Sequence, residues 1–444
     1  MVIHRAVWRR QAVRRRRLVV RRVTVGGIAA AAGLAILALA TGPATAVSHA
    51  PSEARGAATA ASHAPSGAAA AAVSGTLRAW GLGGNGQLGD GTAQTSTVPV
   101  KVKLPAGTKV TSVRAGCFHT LALTSTGQVL AWGSNESGEL GDGTTHFRAT
   151  PVKVHIPAGT TIKAIRAGCF HSLALTSTGQ VLAWGSNTNG QLGNGSTTDS
   201  HTPVPVSLPA GTKVKAISAG RAHSLALTST GQVLAWGFNA VGQLGNGSTT
   251  DSHTPVSVSL PAGTTVAGIA SGDLHSLALT STGQVLAWGF GLQGELGNGT
   301  TNNNSDTPVM VTLPPGTTVR NLSAGCEHSL AVTSAGQVLA WGSNGDGELG
   351  NGSTGESDVP VMAALPQGTI ATSVSAGCRH SLALTSDGHV LAWGLNDDGE
   401  LGNGSTVSSD VPVQVSLPAS LTPVATGAGP EASVSFAIVR KAAS

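Results

Sequence analysis

HSLALTSTGQVLAWGSNTNGQLGNGSTTDSHTPVPVSLPAGTKVKAISAG, residues His171–Gly220, is one turn of a repeat that runs through most of this 444-residue chain. Its tryptophan recurs as Trp80, Trp132, Trp184, Trp236, Trp288, Trp341 and Trp393, at intervals of 52 residues with a single interval of 53. His119, His171, His223, His275, His328 and His380 keep the same beat. A fixed period near 50 residues marks an array of supersecondary units. Within the unit, HSLALT and QVLAWG read as short strands joined by a turn at Ser177–Gly179. PVPVSL alternates as a third strand, and Pro209-Ala210-Gly211 turns the chain into a fourth, KVKAIS. Asn194-Gly195 supplies the positive φ of a tight turn between the second and third strands. Four strands per unit, repeated seven times, predict an all-β, seven-bladed β-propeller with four-stranded blades around a channel.

The two ends of the array predict how it closes. Gly75–Trp80 is the second strand of a unit whose first strand is missing, and Ser433–Val439 is a first strand with no second. Pairing them completes a last blade and removes an exposed sheet edge. An open solenoid would give the split repeat no purpose.

Composition agrees. Gly (61) and Pro (21) argue for turns and short strands over long helices. The 40% hydrophobic content is enough for a core. Charged residues make up 11%, aromatics 3%, and Tyr is absent. No HExxH, P-loop or GxSxG occurs, so the chain reads as a scaffold or binder and not as an enzyme. The formal charge of +5 comes from the N-terminus, where nine Arg lie in residues 1–22. Without them 17 basic residues face 21 acids, so the remainder has no attraction for nucleic acid.

Those Arg precede an apolar stretch, VTVGGIAAAAGLAILALA (23–40), and the small-residue site Ala44-Thr45-Ala46. The order describes a signal peptide over residues 1–46, with a signal anchor as the alternative. Either reading exports the rest of the chain, and a membrane association is expected only from an uncleaved anchor. Residues 47–74, almost entirely Ala, Ser, Gly, Pro and His, read as a flexible linker, and 75–444 as the propeller.

The patterns A-G-x-x-H-S-L-A-L, G-Q-V-L-A-W-G and G-[QE]-L-G-[ND]-G recur over residues 75–444. Together they resemble the regulator of chromosome condensation repeat family. The resemblance implies a seven-bladed propeller of 51- to 53-residue repeats. It also implies that relatives act through loops on one face: the namesake is a nuclear nucleotide-exchange factor bound to chromatin, others are protein-binding scaffolds, and a secreted relative inhibits an enzyme. Exchange activity is not expected here, because the repeat lengths leave no room for an inserted wedge and an exported protein would not meet a nuclear GTPase.

The six repeat His are expected to fix blade turns by hydrogen bonds, since a catalytic group is not needed six times. The seven repeat Trp are expected to pack between blades. Cys117, Cys169, Cys326 and Cys378 share one repeat position, which Arg221 and Asp273 occupy in two other units. Small buried thiols are the preferred reading. Disulfides Cys117–Cys169 and Cys326–Cys378, and a Cys-x-His metal site shared between blades, are the alternatives. The acidic turns Asp346-Gly347-Glu348 and Asp397-Asp398-Gly399-Glu400 lack the alternating ladder of a calcium loop. Residues that break the repeat are the better candidates for a partner site: Phe118, Phe147, Arg148, Phe170, Arg221, Phe238, Asp273, Phe290, Glu327 and Arg379. The expectation is a secreted, monomeric, non-enzymatic scaffold without cofactor or metal, binding a protein or cell-envelope component through one face. A secreted enzyme with a site in the channel and a secreted enzyme inhibitor are the alternatives.

Overall fold

Aliphatic residues fill both sides of the two middle strands of each unit, which leaves those strands no solvent face. In His223–Thr228 and Val233–Gly237 every residue is buried, as in a sheet covered on both faces. The computed structural model describes residues 74–301 and 303–442, and their regular structure is 28 strands in seven antiparallel four-stranded sheets. The expected signal and nearly all of the expected linker lie outside the described residues.

One blade runs outward as Val214–Ala219, His223–Thr228, Val233–Gly237 and Ser252–Ser257, with Leu225 opposite Ala235 and Leu234 opposite Ser257. The innermost strands of six blades, with Ala428, Gly429 and Pro430 just past the inner strand of the remaining one, line a central channel. Blades are numbered here from the inner strand Val110–Ala115 (blade 1) to Ala371–Ala376 (blade 6). Blade 7 joins Leu421–Gly427 and Val434–Lys441 to Thr76–Gly81 and Ser96–Lys101, with Trp80 opposite Ser435. The chain ends therefore clasp as expected. The phase of the repeat differs from the sequence reading. KVKAIS is not the fourth strand of the blade before it, because Val214–Ala219 pairs with His223–Thr228 and so opens the next blade. The PAGT turn carries the chain from the rim of one blade to the axis of the next.

Two invariant glycines follow from close approach. Gly133, after Trp132, has φ 107°, and a Cβ there would lie 2.3 Å from the Phe118 carbonyl oxygen. Gly220 has no such φ, but a Cβ would lie 2.2 Å from the His223 ring and 2.4 Å from the Gly272 oxygen. The A-G-x-x-H pattern is thus the room that the imidazole needs.

The blades are held together by one repeated knot. His171 Nε2 lies 2.9 Å from Ser224 Oγ of the next blade. Ser224 Oγ–H donates to the Gln191 carbonyl (3.0 Å), and Trp236 Nε1–H donates to the same oxygen (2.9 Å). A serine hydroxyl has one proton, so the histidine must donate to it through Nε2–H and is the neutral tautomer. The knot recurs at each junction up to His380–Ser435–Glu400, where Trp80 supplies the indole. At the junction of blades 7 and 1, Val434 takes the histidine's place opposite Gly81, and Thr120 and Trp132 alone donate to the Gln87 carbonyl. All seven Trp are fully buried in clusters shared by neighbouring blades.

The carbonyl at the centre of the knot belongs to the Gln or Glu of G-[QE]-L, whose own side chain turns inward to accept the N–H two residues earlier. In the Glu blades this buries a carboxyl. Burial pushes Glu139 up to about 7 and Glu295 and Glu400 up to about 8. Burial likewise lowers the six His to about 3 or 4. The two sets oppose each other in pH. The unfolded chain takes up His protons below about 6.5 that the folded one refuses, so stability falls on acidification. It releases Glu protons above about 4.5 that the folded chain retains to about 8, so stability also falls on alkalinisation. With six His against five buried Glu raised in this way, Glu348 and Glu431 among them, stability should peak near pH 6. Glu295→Gln and Glu400→Gln, which install the residue found in blade 3, should add roughly 1–2 kcal/mol each at pH 8 and little at pH 5. Urea denaturation at both pH values checks this; a gain equal at the two would contradict it.

Candidate functional site

In an antiparallel blade, the turn from first to second strand and the loop from third to outer strand emerge at the same end. The first set carries Cys117–Phe118 and its equivalents, and the second carries Phe238, Phe290 and the His146-Phe147-Arg148 segment. Every repeat-breaking residue singled out above therefore lies on one face, called here the loop face. The opposite face carries the Ser-Thr-Gly hairpins and PAGT turns.

Around the channel mouth the first-to-second turns of successive blades touch one another. Cys117 N–H points to the Cys169 carbonyl and Cys326 N–H to the Cys378 carbonyl, at 3.4 and 3.1 Å. The Cα atoms are 4.5 and 4.4 Å apart, and both pairs are disulfides, closing loops of 52 residues. This corrects the preferred reading of buried thiols. Each turn looks isolated along the chain, and only the closed ring brings equivalent turns within bonding reach. The shared Cys-x-His metal site is not formed either, because each sulfur is bonded to another and each His Nε2 is engaged by a hydroxyl. Between the bridged pairs, Arg221 N–H reaches the Asp273 carbonyl (3.2 Å), and their side chains form an ion pair at 3.5 Å. Blades 1–2, 3–4 and 5–6 are thus cross-linked by a disulfide, an ion pair and a disulfide.

Blade 7 is joined to blade 6, where Cys378 N–H donates to the Ala432 carbonyl (2.8 Å), and its turn reaches over the centre. Its turn, Gly429-Pro430-Glu431-Ala432-Ser433, carries two more residues than the Gly-Cys-Phe type of the other blades. Glu431 Oε2 lies 3.7 Å from Cys117 Sγ, a contact only, since a disulfide sulfur has no proton to donate. Glu431 also comes within 4.8 Å of Asp273 and Cys326, on blades 4 and 5 across the mouth. Burial, with Asp273 beside it, pushes the Glu431 carboxyl well above the usual range. Glu431, beside Asp273, which is itself paired with Arg221, caps the channel. Sequence reading missed this residue. The signal was AGPEASV, where the repeat has AGCxHS.

Outside the cap the face is divided by chemistry. Phe118 and Phe170 lie 6.3 Å apart on blades 1 and 2. Ala222 and Phe238 on blade 3 and Leu274 and Phe290 on blade 4 continue half-buried, and Leu292 is exposed. Blades 5 and 6 carry Glu327 and Arg379 at the positions of Phe118 and Phe170. Arg379 pairs with Asp346 (2.7 Å) and Glu348 (3.6 Å), which ties down the acidic turn. Phe147 is 47% exposed beyond blade 1. Arg148 pairs with Asp142 at 3.3 Å. Although burial opposes its charge, hydrogen bonds from Thr144, Asn135 and Arg148 hold Asp142 below the usual carboxylate range. Leu292 and Val407, the latter 73% exposed in its loop, were not singled out from sequence, because neither alters a repeat motif.

The backbone bond between the turns of Arg221 and Asp273 matches that of the bridged pairs, so R221C/D273C should form a third disulfide. Thiol titration of the denatured double variant is expected to find no free thiol. Two free thiols per chain would show that these turns do not approach as the cysteine turns do. The added bridge should stabilise by about 2–4 kcal/mol.

Comparison with known proteins places this geometry. Residues 40–325 match the RCC1-like domain profile, and residues 335–384 and 387–434 match the regulator of chromosome condensation (RCC1) repeat. The chain is 34% identical over 335 residues to the ultraviolet-B receptor UVR8 of Arabidopsis thaliana, covering 75% of this chain and 76% of that protein. It is 33% identical over 337 residues to human E3 ubiquitin-protein ligase HERC2, a match to 75% of this chain and 7% of that much longer protein. The structure of Prp20p from Saccharomyces cerevisiae, described with its binding properties to Gsp1p and histones, superposes with a TM-score of 0.73 at 26% identity, covering 83% of this chain and 92% of that one. This chain belongs to the regulator of chromosome condensation (RCC1) repeat family.

Proposed function

We propose that this protein is an exported, non-enzymatic scaffold that holds a protein partner on its loop face. The observation that carries this reading is the gathering of the repeat-breaking residues on that face. There the aromatic residues all fall on blades 1 to 4, together with the ion pairs Arg148–Asp142 and Arg221–Asp273, while blades 5 and 6 carry Glu327 and Arg379 at the positions of Phe118 and Phe170. Blade geometry does not require either. A crescent of half-buried aromatic and aliphatic side chains bordered by charge is the chemistry of a protein-binding patch with a polar rim. Prp20p, a relative of the same fold, is described as binding proteins, which favours a protein partner over other classes. The Arg-rich, apolar and small-residue segments at the N-terminus, together with two disulfides, favour an oxidising compartment outside the cytoplasm. An enzyme working in the channel is disfavoured, because the channel cavity is only about 70 Å³. Inhibition of an enzyme by face binding is one form of the scaffold reading, and guanine-nucleotide exchange is not part of it.

Residues 47–444 used as bait against the producer's envelope and culture fluid should retain one near-stoichiometric protein. F118A/F147A/F170A should weaken its binding at least tenfold, about 1.4 kcal/mol. Met362→Ala, at the far end of an outer strand, should leave it unchanged. An empty capture at low salt, or equal binding by both variants, would sink the proposal.

A further inference from the structure

The channel beneath the cap has a charge pattern of its own. The seven inner strands, VTSVRA, IKAIRA, VKAISA, VAGIAS, VRNLSA, ATSVSA and LTPVATG, contain five basic residues and no acid. The chain beyond residue 46 is net acidic, so cationic charge is concentrated on the axis. Two of the five, Arg114 and Arg166, line the channel cavity on neighbouring blades. Each donates to the carbonyl of the residue before it, Val113 (2.7 Å) and Ile165 (2.8 Å). A carbonyl satisfies a proton but does not neutralise a charge. No ion pair to either guanidinium forms among the described residues, and Arg166 is held below its usual range by burial and then by repulsion from Arg114. The opposite wall presents hydroxyls from Ser218, Ser271, Ser323 and Ser375. Ser271 is 4% exposed, yet its Oγ has no hydrogen-bond partner. A buried hydroxyl without a partner is costly to keep, and here it lies in the cavity that the two arginines line.

We propose that the central channel is a binding site for a small tetrahedral oxyanion, phosphate or sulfate, held between Arg114 and Arg166 on one wall and the serine hydroxyls on the other. Guanidinium groups match such an ion with paired N–H donors. A tetrahedral anion accepts hydrogen bonds from all sides, which suits a ring of seven strands better than a planar carboxylate does. The cavity of about 70 Å³ amounts to a few water volumes, the scale of a single ion and not of an organic metabolite. Low-dielectric walls of one sign concentrate an anion there.

The test is thermal unfolding and titration calorimetry of the full chain at pH 7, in sodium phosphate against sodium chloride of equal ionic strength. Phosphate should raise Tm saturably and give a titratable heat of one site per chain. R114Q and R166Q should abolish both, while raising Tm in chloride, because each removes one of two repelling charges. Ser271→Ala should weaken phosphate binding about three- to tenfold while raising Tm in chloride, because it removes the unpartnered hydroxyl, so the site remains testable if an arginine variant does not fold. Phosphate stabilises many proteins by exclusion from their surfaces, so the comparison with variants decides. A response to phosphate no greater than to chloride, or one retained in R114Q and R166Q, would overturn the site.

Discussion

A single backbone oxygen per blade, the carbonyl of the Gln or Glu in G-[QE]-L, carries the architecture. It accepts the indole proton of one Trp and the hydroxyl proton of one Ser from the next blade, and that Ser in turn accepts from a His of its own blade's predecessor. Each donor is fully buried, so losing one leaves an unpaired polar group in the seam, at about 1–3 kcal/mol. The indole also fills the space between blades, and truncating it would cost a further few kcal/mol in lost packing. The remaining invariants serve this knot. One Gly clears room for the imidazole, another lets the chain turn sharply after the Trp, and the inward Gln or Glu side chain holds its own loop so that the carbonyl faces the seam.

This explains why the fold was legible in the sequence and part of the site was not. A geometric constraint met in every blade must write the same residues at the same interval, and Trp80 to Trp393 record it. The origin of a circular repeat has no such signature, and the strand KVKAIS was placed in the wrong blade for that reason. Relations between blades were hidden too. Cys117 and Cys169 are 52 residues apart in sequence and 4.5 Å apart at Cα only after closure, and Arg221 and Asp273 read as two substitutions until the ring makes them a pair. Glu431 escaped notice because it belongs to no repeat position. Arg114 and Arg166 escaped because an arginine in a short strand reads as an outward residue, whereas here outward from the inner strand is the channel.

Blade 7 is where the ring departs furthest from symmetry, for a reason of chain connectivity. It is assembled from both chain ends, and its first-to-second turn joins blade 6 by the Cys378 N–H to Ala432 carbonyl bond, outside the disulfide and ion-pair cross-links of the other six. An odd number of blades leaves one turn outside such pairwise cross-links whichever way the pairs are drawn. The longer Gly429–Ser433 turn uses that freedom to reach the far side of the mouth, where the Asp273 and Arg221 side chains receive it. The Val434 and Thr120 substitutions in the adjacent knot are consistent with this, since no imidazole is available there for a serine to receive.

A symmetric ring that binds an asymmetric partner has to vary somewhere, and the knot limits where. Substitution in the seam strands a buried donor or acceptor, and substitution of the glycines forces atoms to overlap. Substitution at the tips of the loop face costs little, because exposed side chains away from such features rarely change stability by more than about 0.5 kcal/mol. Tolerance alone would scatter differences around the ring. Instead the aromatic residues that break the repeat on this face all fall on blades 1 to 4, and the inner strands carry cations without acids. Stability gives no reason for either segregation: an apolar crescent exposed to water and like charges gathered on an axis both act against it. Features kept at a cost to the folded state point to what binds there, a protein across the crescent and an anion on the axis.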